Sequence, residues 1–261
     1  MISRAFTLAD FEFFLLVLAR VVSFVYVAPF FSMTNTPRRV KIAFGVMFAI
    51  LLYYVLTPTR ATYEYRTVEG FAVIVMREVV VGIMIGFAAT ICNSIVNLAG
   101  SVIDMEVGLS MVNLIDPATK QNVTISGVFY QYMVTLLLIV TGMHRYLITA
   151  FAQTYTLIPV DGLNFNTERL LGSFIDFMGD SISIAFRICL PIFAIMILLN
   201  AVLGVLANVA PQMNMFAVGM QLKVLIGLGA MFLTVGMLPG ISDFIFTEMK
   251  TMVVAFVEGM M

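Results

Sequence analysis

Six ionisable residues interrupt the apolar stretches of this sequence: Glu12, Arg20, Arg77, Glu78, Arg187 and Lys223. A charge at the centre of a membrane helix costs about 2.5–3.5 kcal/mol on insertion scales. Glu12 and Lys223 lie near the ends of their stretches, where a charged group can reach the lipid headgroups. The three arginines therefore need a carboxylate, a backbone carbonyl at a helix break, or water.

Arg77 and Glu78 are adjacent, so their side chains point about 100° apart around a helix and do not pair with each other. Each must find its own partner. Structural pairing with other helices, including helices of other subunits, is the interpretation we favour. The alternative is a proton or ion relay, in which Arg77, Glu78 or Arg187 forms the coupling site of a secondary transporter.

Other chemistry finds little support in the residue types. Cys92 and Cys189 both lie in apolar stretches and are interpreted as small buried hydrophobes, and the single histidine, His144, excludes a site made of several histidines. No nucleotide-binding, hydrolase or metalloprotease motif is found. A net charge of −1 offers no basic surface for nucleic acid. We expect no catalytic site, no cofactor and no metal.

Composition points to the elements that must hold these charges. The 261 residues are 61% hydrophobic and only 11% charged, with a mean hydropathy of +1.05. A soluble fold of this size could not cover its surface with so few charges. Six apolar runs are candidate membrane segments, so the sequence predicts an all-α membrane protein whose single domain fills residues 1–261. The runs are Phe11–Met33, Val40–Leu56, Phe71–Gly100, Gly127–Val140 with its flank to Ala152, Ser181–Ala210 and Phe216–Phe246.

Polar connections separate the runs: Thr34–Lys41, Thr57–Gly70, Ser101–Asn122, Gln153–Asp180 and Pro211–Gln212. Phe71–Gly100 and Ser181–Ala210 would each be roughly 45 Å long as a helix, against roughly 30 Å of hydrocarbon, so tilt or breaks must absorb the excess. Pro191 predicts a kink in the second of these. The first run contains acids and lacks a cleavage site, which favours a retained helix over a signal peptide.

Gly82 and Gly86 form a small-xxx-small pattern in the third run, and Gly236 and Gly240 repeat it near the end of the chain. Such spacing lets two helix backbones approach closely where lipid provides no hydrophobic driving force. We expect the Gly82/Gly86 face to contact another helix.

The stretch Ser101–Asn122 is half apolar but is broken by Asp104, Glu106 and the Asp116–Pro117 turn signal. It is too polar to span a membrane and too apolar for a free loop. A re-entrant segment packed in protein is one solution, and its methionines with Leu109 would form a deformable constriction. An interfacial amphipathic helix and an ordinary loop are the alternatives.

Four stretches match a known family. They are Ala19-Arg20 with Ala28-Pro29-Phe30-Phe31-Ser32 and Pro37-Arg38-Arg39-Val40-Lys41; Arg77-Glu78, Gly82, Gly86-Phe87 and Ala99-Gly100-Ser101-Val102-Ile103-Asp104; Asp116-Pro117-Ala118-Thr119 with Ser126, Phe129-Tyr130, Gly142 and His144; and Asn200, Leu203-Gly204, Ala210-Pro211-Gln212-Met213-Asn214-Met215-Phe216, Gly219 and Leu222-Lys223. The chain resembles the FliR family, the R component of the flagellar type III protein-export gate, which is related to the T component of injectisomes. It departs from the family at Met143-His144-Arg145, where a histidine pair is common, and at Met220-Gln221, where Phe-Pro is common.

The resemblance implies a core complex of five P, four Q and one R subunits in the bacterial inner membrane, within the flagellar basal body, with B and A subunits as further partners. Residues 1–180 would resemble P and residues 181–261 would resemble Q. Helical hairpins would wind into a closed spiral through which unfolded flagellar subunits pass, driven by the export ATPase and the proton gradient. The segment at about Glu106–Asn122 would act as a plug near a ring of P methionines.

These implications assign roles to named residues. The residues expected to form the seal are Met105, Leu109, Met111, Val112 and Ile115. The residues expected to hold the loop in its closed position are Asp104, Glu106, Asp116 and Lys120. Contacts between helices or subunits are assigned to Arg20, Arg77, Glu78, Gly82, Gly86, Arg187 and Pro191. The other readings of the sequence are a secondary transporter, a membrane scaffold without a pore, and an injectisome gate subunit.

Overall fold

The structure is a computed structural model that describes residues 7–29, 31, 36–56, 67–111, 114–115, 122–164, 166–212 and 214–261. Its α-helices are α1 (Leu8–Val27), α2 (Arg38–Leu56), α3 (Val68–Ile91), α4 (Asn93–Val107), α5 (Ile125–Val140), α6 (Met143–Leu157), α7 (Thr167–Val209), α8 (Met215–Thr234) and α9 (Leu238–Glu258). Short 3-10 turns occupy Leu109–Met111 and Val235–Met237. Two two-residue strands, β1 (Leu114–Ile115) and β2 (Asn122–Val123), pair antiparallel.

Local signals set several helix ends. Thr7 and Asp10 form a reciprocal capping box at the start of α1, which satisfies donors that the first turn leaves free. Gly108 ends α4 in the left-handed conformation, with φ of 88°, which costs glycine no steric energy. Asn214 caps α8 by accepting from the backbone N–H of Ala217, directly after the predicted break at Pro211–Gln212.

The chain divides into two compact units. The first contains α1, α2, α3 and α6, with the beginning of α7 and the end of α9. The second contains α4, α5 and α8, with the remainder of α7 and α9. The prediction that residues 1–180 resemble P and residues 181–261 resemble Q remains a prediction.

The prediction of an all-α membrane protein is confirmed. Among the described residues, four helical stretches are long and apolar enough to cross a membrane: Arg38–Leu56, Val68–Val107, Thr167–Val209 and Phe216–Glu258. The broken pair α5 and α6 makes a fifth if it counts as one span. The six predicted runs all fall on helices, but α1 is not among the candidate spans, because its 20 residues include Asp10, Glu12 and Arg20.

Two predicted polar connections are shorter than expected. Helix α4 continues to Val107, so the first third of Ser101–Asn122 is helical. Likewise α6 continues to Leu157 and α7 already begins at Thr167, so Gln153–Asp180 is helical at both ends. In the first of these, Ser126 satisfies the carboxylate of Asp104, a polar residue that suggested a loop. Pro191 lies inside α7, and the kink there remains a prediction.

Candidate functional site

Helices α1 and α3 approach each other closely at the glycine pair. A Cβ atom added to Gly82 would lie 2.3 Å from the backbone oxygen of Arg20 and 2.0 Å from Ser23 Oγ. At Gly86 it would lie 3.1 Å from the nitrogen of Ala28. Gly82 and Gly86 therefore face α1, and at Gly82 no larger residue fits between the two backbones.

This close approach brings Arg20 of α1 against Glu78 of α3. Arg20 Nε and Nη2 donate to the two carboxylate oxygens of Glu78 at 2.5 and 3.0 Å, which makes a bidentate ion pair. Nη1 donates to the carbonyl of Ile158 at 3.0 Å, and the guanidinium carbon lies 4.3 Å from the ring centroid of Tyr155. Arg20 is fully buried and Glu78 is 1% exposed. All nitrogens of the guanidinium thus have a partner, two of them at the carboxylate.

Arg77 and Glu78 have separate partners in the structure. Arg77 Nη1 donates to Asp161 Oδ1 at 2.7 Å in a partly exposed pair, while the backbone N–H of Asp161 donates to Glu78 at 3.2 Å. Asp161 has a φ of 65°, a left-handed conformation that aspartate tolerates better than most residues. The turn at Asp161–Gly162 therefore joins both charges of α3 to the end of α6. Sequence reasoning missed Asp161, although its Asp-Gly pair is a turn signal.

Arg187 has a different environment. It is exposed on α7 beside Phe186 and Leu190, which are also exposed, and no carboxylate in the described part of the chain pairs with it. Pro191 follows one turn later and is half-buried. The described part of the chain therefore does not supply the partner that Arg187 was expected to need.

Helices α4 and α5 form a hairpin in the second unit. A Cβ atom added to Gly100 would lie 2.2 Å from the Cα of Gly127, so the two backbones touch. One turn further along α4, the buried Asp104 accepts the backbone N–H of Ser126 at 3.2 Å and also accepts the Ser126 hydroxyl. Thr124 precedes α5 without a side-chain cap, so Asp104 caps α5 from the neighbouring helix.

The segment assigned to the plug begins where this hairpin ends. Met105 and Glu106 lie in the last turn of α4, and Met105 is 70% exposed. After Gly108, Leu109 lies in the 3-10 turn that ends at Met111, and the backbone of Ile115 belongs to the β1–β2 ladder. Val112, Asp116 and Lys120 lie outside the described residues, and the side chains of Met111 and Ile115 are not described. The structure does not bring the assigned seal residues together in a described cluster.

The contacts described above are packing and pairing contacts between helices. Across the described parts of the chain, no group of three or more His, Cys, Asp or Glu side chains is placed to hold a metal ion. Cys92 and Cys189 are buried free thiols.

Comparison with known proteins identifies the family. A family model described as "Bacterial export proteins, family 1" matches residues 11–249. The chain belongs to this family. A flagellar biosynthetic protein FliR from Bacillus subtilis is 29% identical over 216 residues, which cover 82% of this chain and 82% of the relative. The Escherichia coli FliR is 25% identical over 237 residues, or 88% and 87% of the two chains, and the Aquifex aeolicus FliR is 29% identical over 214 residues, or 80% of each.

The resemblance to the FliR family is thereby confirmed over most of the chain. This export family is a protein-transport family and not a catalytic one. With its four or five apolar helices, the chain is an inner-membrane component of the flagellar export apparatus.

Proposed function

We propose that the chain is a pore-forming core subunit of the flagellar export gate and passes unfolded flagellar subunits across the inner membrane. Family membership supports association with other export-gate components. The finer proposal is a complex with P and Q subunits in the ratio of five P, four Q and one R, which also contacts the B and A subunits.

The observation that carries this proposal is the α4–α5 hairpin. Its base is closely packed, because Gly100 touches Gly127 and Asp104 caps α5 through Ser126. Both helices belong to apolar segments that qualify as membrane spans, yet the segment between them leaves helical conformation at Gly108. Irregular backbone at membrane depth is tolerated only where protein or a water-filled cavity surrounds it. A plug at residues 105–122, across a protein-walled pore, meets that condition.

The apolar outer face of α7 supports assembly with other subunits. Arg187 is exposed there among exposed hydrophobic residues, and an arginine facing hydrocarbon is costly. A carboxylate or helix-end carbonyl from a neighbouring gate subunit would satisfy it. The transporter alternative is less well supported, because Glu78 and Arg77 already have partners within the chain.

Replacing Glu106–Gln121 with a short Gly-Ser linker in the co-expressed gate tests the plug. We expect ion leakage across the membrane, measured as dye-reported depolarisation in cells, with the subunits still co-purifying in normal ratio. A milder variant, Leu109→Ser, should leak less. Leu171→Ser serves as the matched control, because Leu171 is exposed on α7 and outside the loop.

An intact complex whose permeability is unchanged by the linker replacement would refute the plug. Equal leakage from the Leu109→Ser and Leu171→Ser variants would attribute the effect to general loosening of the complex and would equally refute it.

A further inference from the structure

An apolar groove of about 600 Å³ runs along the first unit between α1, α2 and α3. Its walls include Leu18, Val22 and Tyr26 from α1, Ile42 and Val46 from α2, and Ile83 from α3. Two residues of the lining carry a hydroxyl, Ser23 and Tyr26, and the Ser23 hydroxyl donates to the carbonyl of Arg20 at 2.9 Å. The other lining residues are aliphatic, so most of the groove presents hydrocarbon to its occupant.

Basic side chains lie at one end of this groove. Arg38 precedes Ile42 by four residues and Val46 by eight, so the three lie on one stripe of α2. Lys41 lies on the same side, with its ammonium 5.6 Å from the ring centroid of Tyr26. The first turn of α2 contains no acid. An apolar channel thus ends in two cations, Arg38 and Lys41.

The end of α2 that carries these cations is the end that meets water in a membrane. Helix α2 is long and apolar enough to span a bilayer, and basic residues at the end of such a helix lie at the headgroup layer. Anionic headgroups there attract Lys and Arg by about 1 kcal/mol for each charge. The groove and its cations therefore match the two parts of one amphipathic molecule.

We propose that this groove binds an anionic phospholipid, with an acyl chain along Val22, Val46 and Ile83 and the phosphate on Arg38 and Lys41. A volume of about 600 Å³ suits a small ligand, since pockets for such molecules range over roughly 300–1,000 Å³. A helix from a partner protein would need a broader face and an acidic residue placed at Arg38 and Lys41. This lipid site does not depend on the pore role.

Native mass spectrometry of the delipidated export complex tests the site. Phosphatidylglycerol and phosphatidylcholine with identical acyl chains are titrated separately, and lipid retention is compared among variants. Removing both charges in R38Q/K41Q should weaken phosphatidylglycerol binding about thirtyfold, or about fivefold for each charge. The matched control is Arg39→Gln, which removes the same charge from the adjacent exposed position, about 100° around the helix.

Each outcome decides for or against the site. The site is supported if phosphatidylglycerol binding is weakened by R38Q/K41Q but changes less than about twofold in R39Q. Loss of the preference for phosphatidylglycerol over phosphatidylcholine in R38Q/K41Q also supports it. Equal retention of both lipids by the unaltered protein overturns the proposal, and so do equal effects of the two charge variants. Efficient cross-linking of a Val46→Cys variant to a partner subunit in the assembled complex would overturn the lipid assignment in favour of a protein occupant. The groove-filling variant Val46→Phe, with its charges intact, should also reduce lipid retention, and unchanged retention would contradict the acyl-chain assignment.

Discussion

Removing the guanidinium of Arg20 should destabilise the protein more than any other single charge change. Arg20→Met keeps an apolar side chain of similar length but leaves the buried carboxylate of Glu78 with one described donor, the N–H of Asp161. It also frees the carbonyl of Ile158. Removing one partner of a buried ion pair costs about 3–5 kcal/mol, a large part of the roughly 5–15 kcal/mol that stabilises a folded domain.

The size of the effect can be measured as a melting shift in the detergent-solubilised export complex. For a chain of this length, 1 kcal/mol corresponds to roughly 2–4 °C, so we expect Arg20→Met to lower the midpoint by about 10 °C. The double variant R20M/E78M should recover much of this loss, because buried ion pairs can often be replaced by apolar side chains at little cost.

Arg77→Met is the matched control, since it removes an identical side chain whose pair with Asp161 is partly exposed. Its side chain is 47% exposed, and exposed pairs contribute about 0.2–1 kcal/mol, so its midpoint should fall by at most a few degrees. Equal shifts for Arg20→Met and Arg77→Met would refute the claim that burial makes the Arg20 pair critical. A double variant less stable than both single variants would refute the pairing itself.

Two further substitutions test the helix contacts by the same melting assay and by leakage. Gly82→Ala places a methyl against the backbone of Arg20 and should cost about 3 kcal/mol, the upper end of the usual range for overpacking. Gly172→Ala, with open space around it, should be neutral or stabilising by up to about 1 kcal/mol. Equal effects of the two substitutions would contradict the close α1–α3 contact. Asp104→Ala removes the cap on α5, so it should cost about 1–3 kcal/mol of stability and increase ion leakage. Normal stability together with a sealed membrane would contradict a role for Asp104 at the base of the plug.

The helical architecture could be predicted from the sequence because hydropathy and glycine spacing act locally. Every apolar run corresponds to a helix, and the break at Pro211–Gln212 separates α7 from α8. The divergence of Arg77 and Glu78 follows from helix geometry alone, and the structure gives them different partners. These features require no knowledge of distant contacts.

The misplaced element ends depended on contacts between distant residues. Asp104 suggested a loop, yet it lies in a helix because Ser126 satisfies its carboxylate from the other side of the hairpin. Asp161 gave no sign of receiving Arg77, which lies 84 positions earlier. Sequence pattern shows that a polar group needs a partner, but only the fold shows which residue provides it.

The partners of some predicted site residues could not be identified from a single chain. Arg187 was expected to need a partner, and in this chain it is exposed on α7. The residues proposed for the plug, Met105 and Leu109, would form a seal only against other gate subunits. The sequence and the isolated chain can identify such residues, whereas their function depends on the assembled complex.

Photocross-linking of a stalled export substrate tests most directly whether protein passes through this subunit. A photoreactive amino acid is placed at Leu109, and in a separate variant at the exposed Leu171, in cells that export a flagellar subunit fused to a domain too stable to unfold. The proposed gate predicts cross-links from Leu109 to the unfolded part of the stalled substrate and none from Leu171. Efficient stalling with no cross-link at Leu109, or equal cross-links at both positions, would contradict a plug in the path of exported protein.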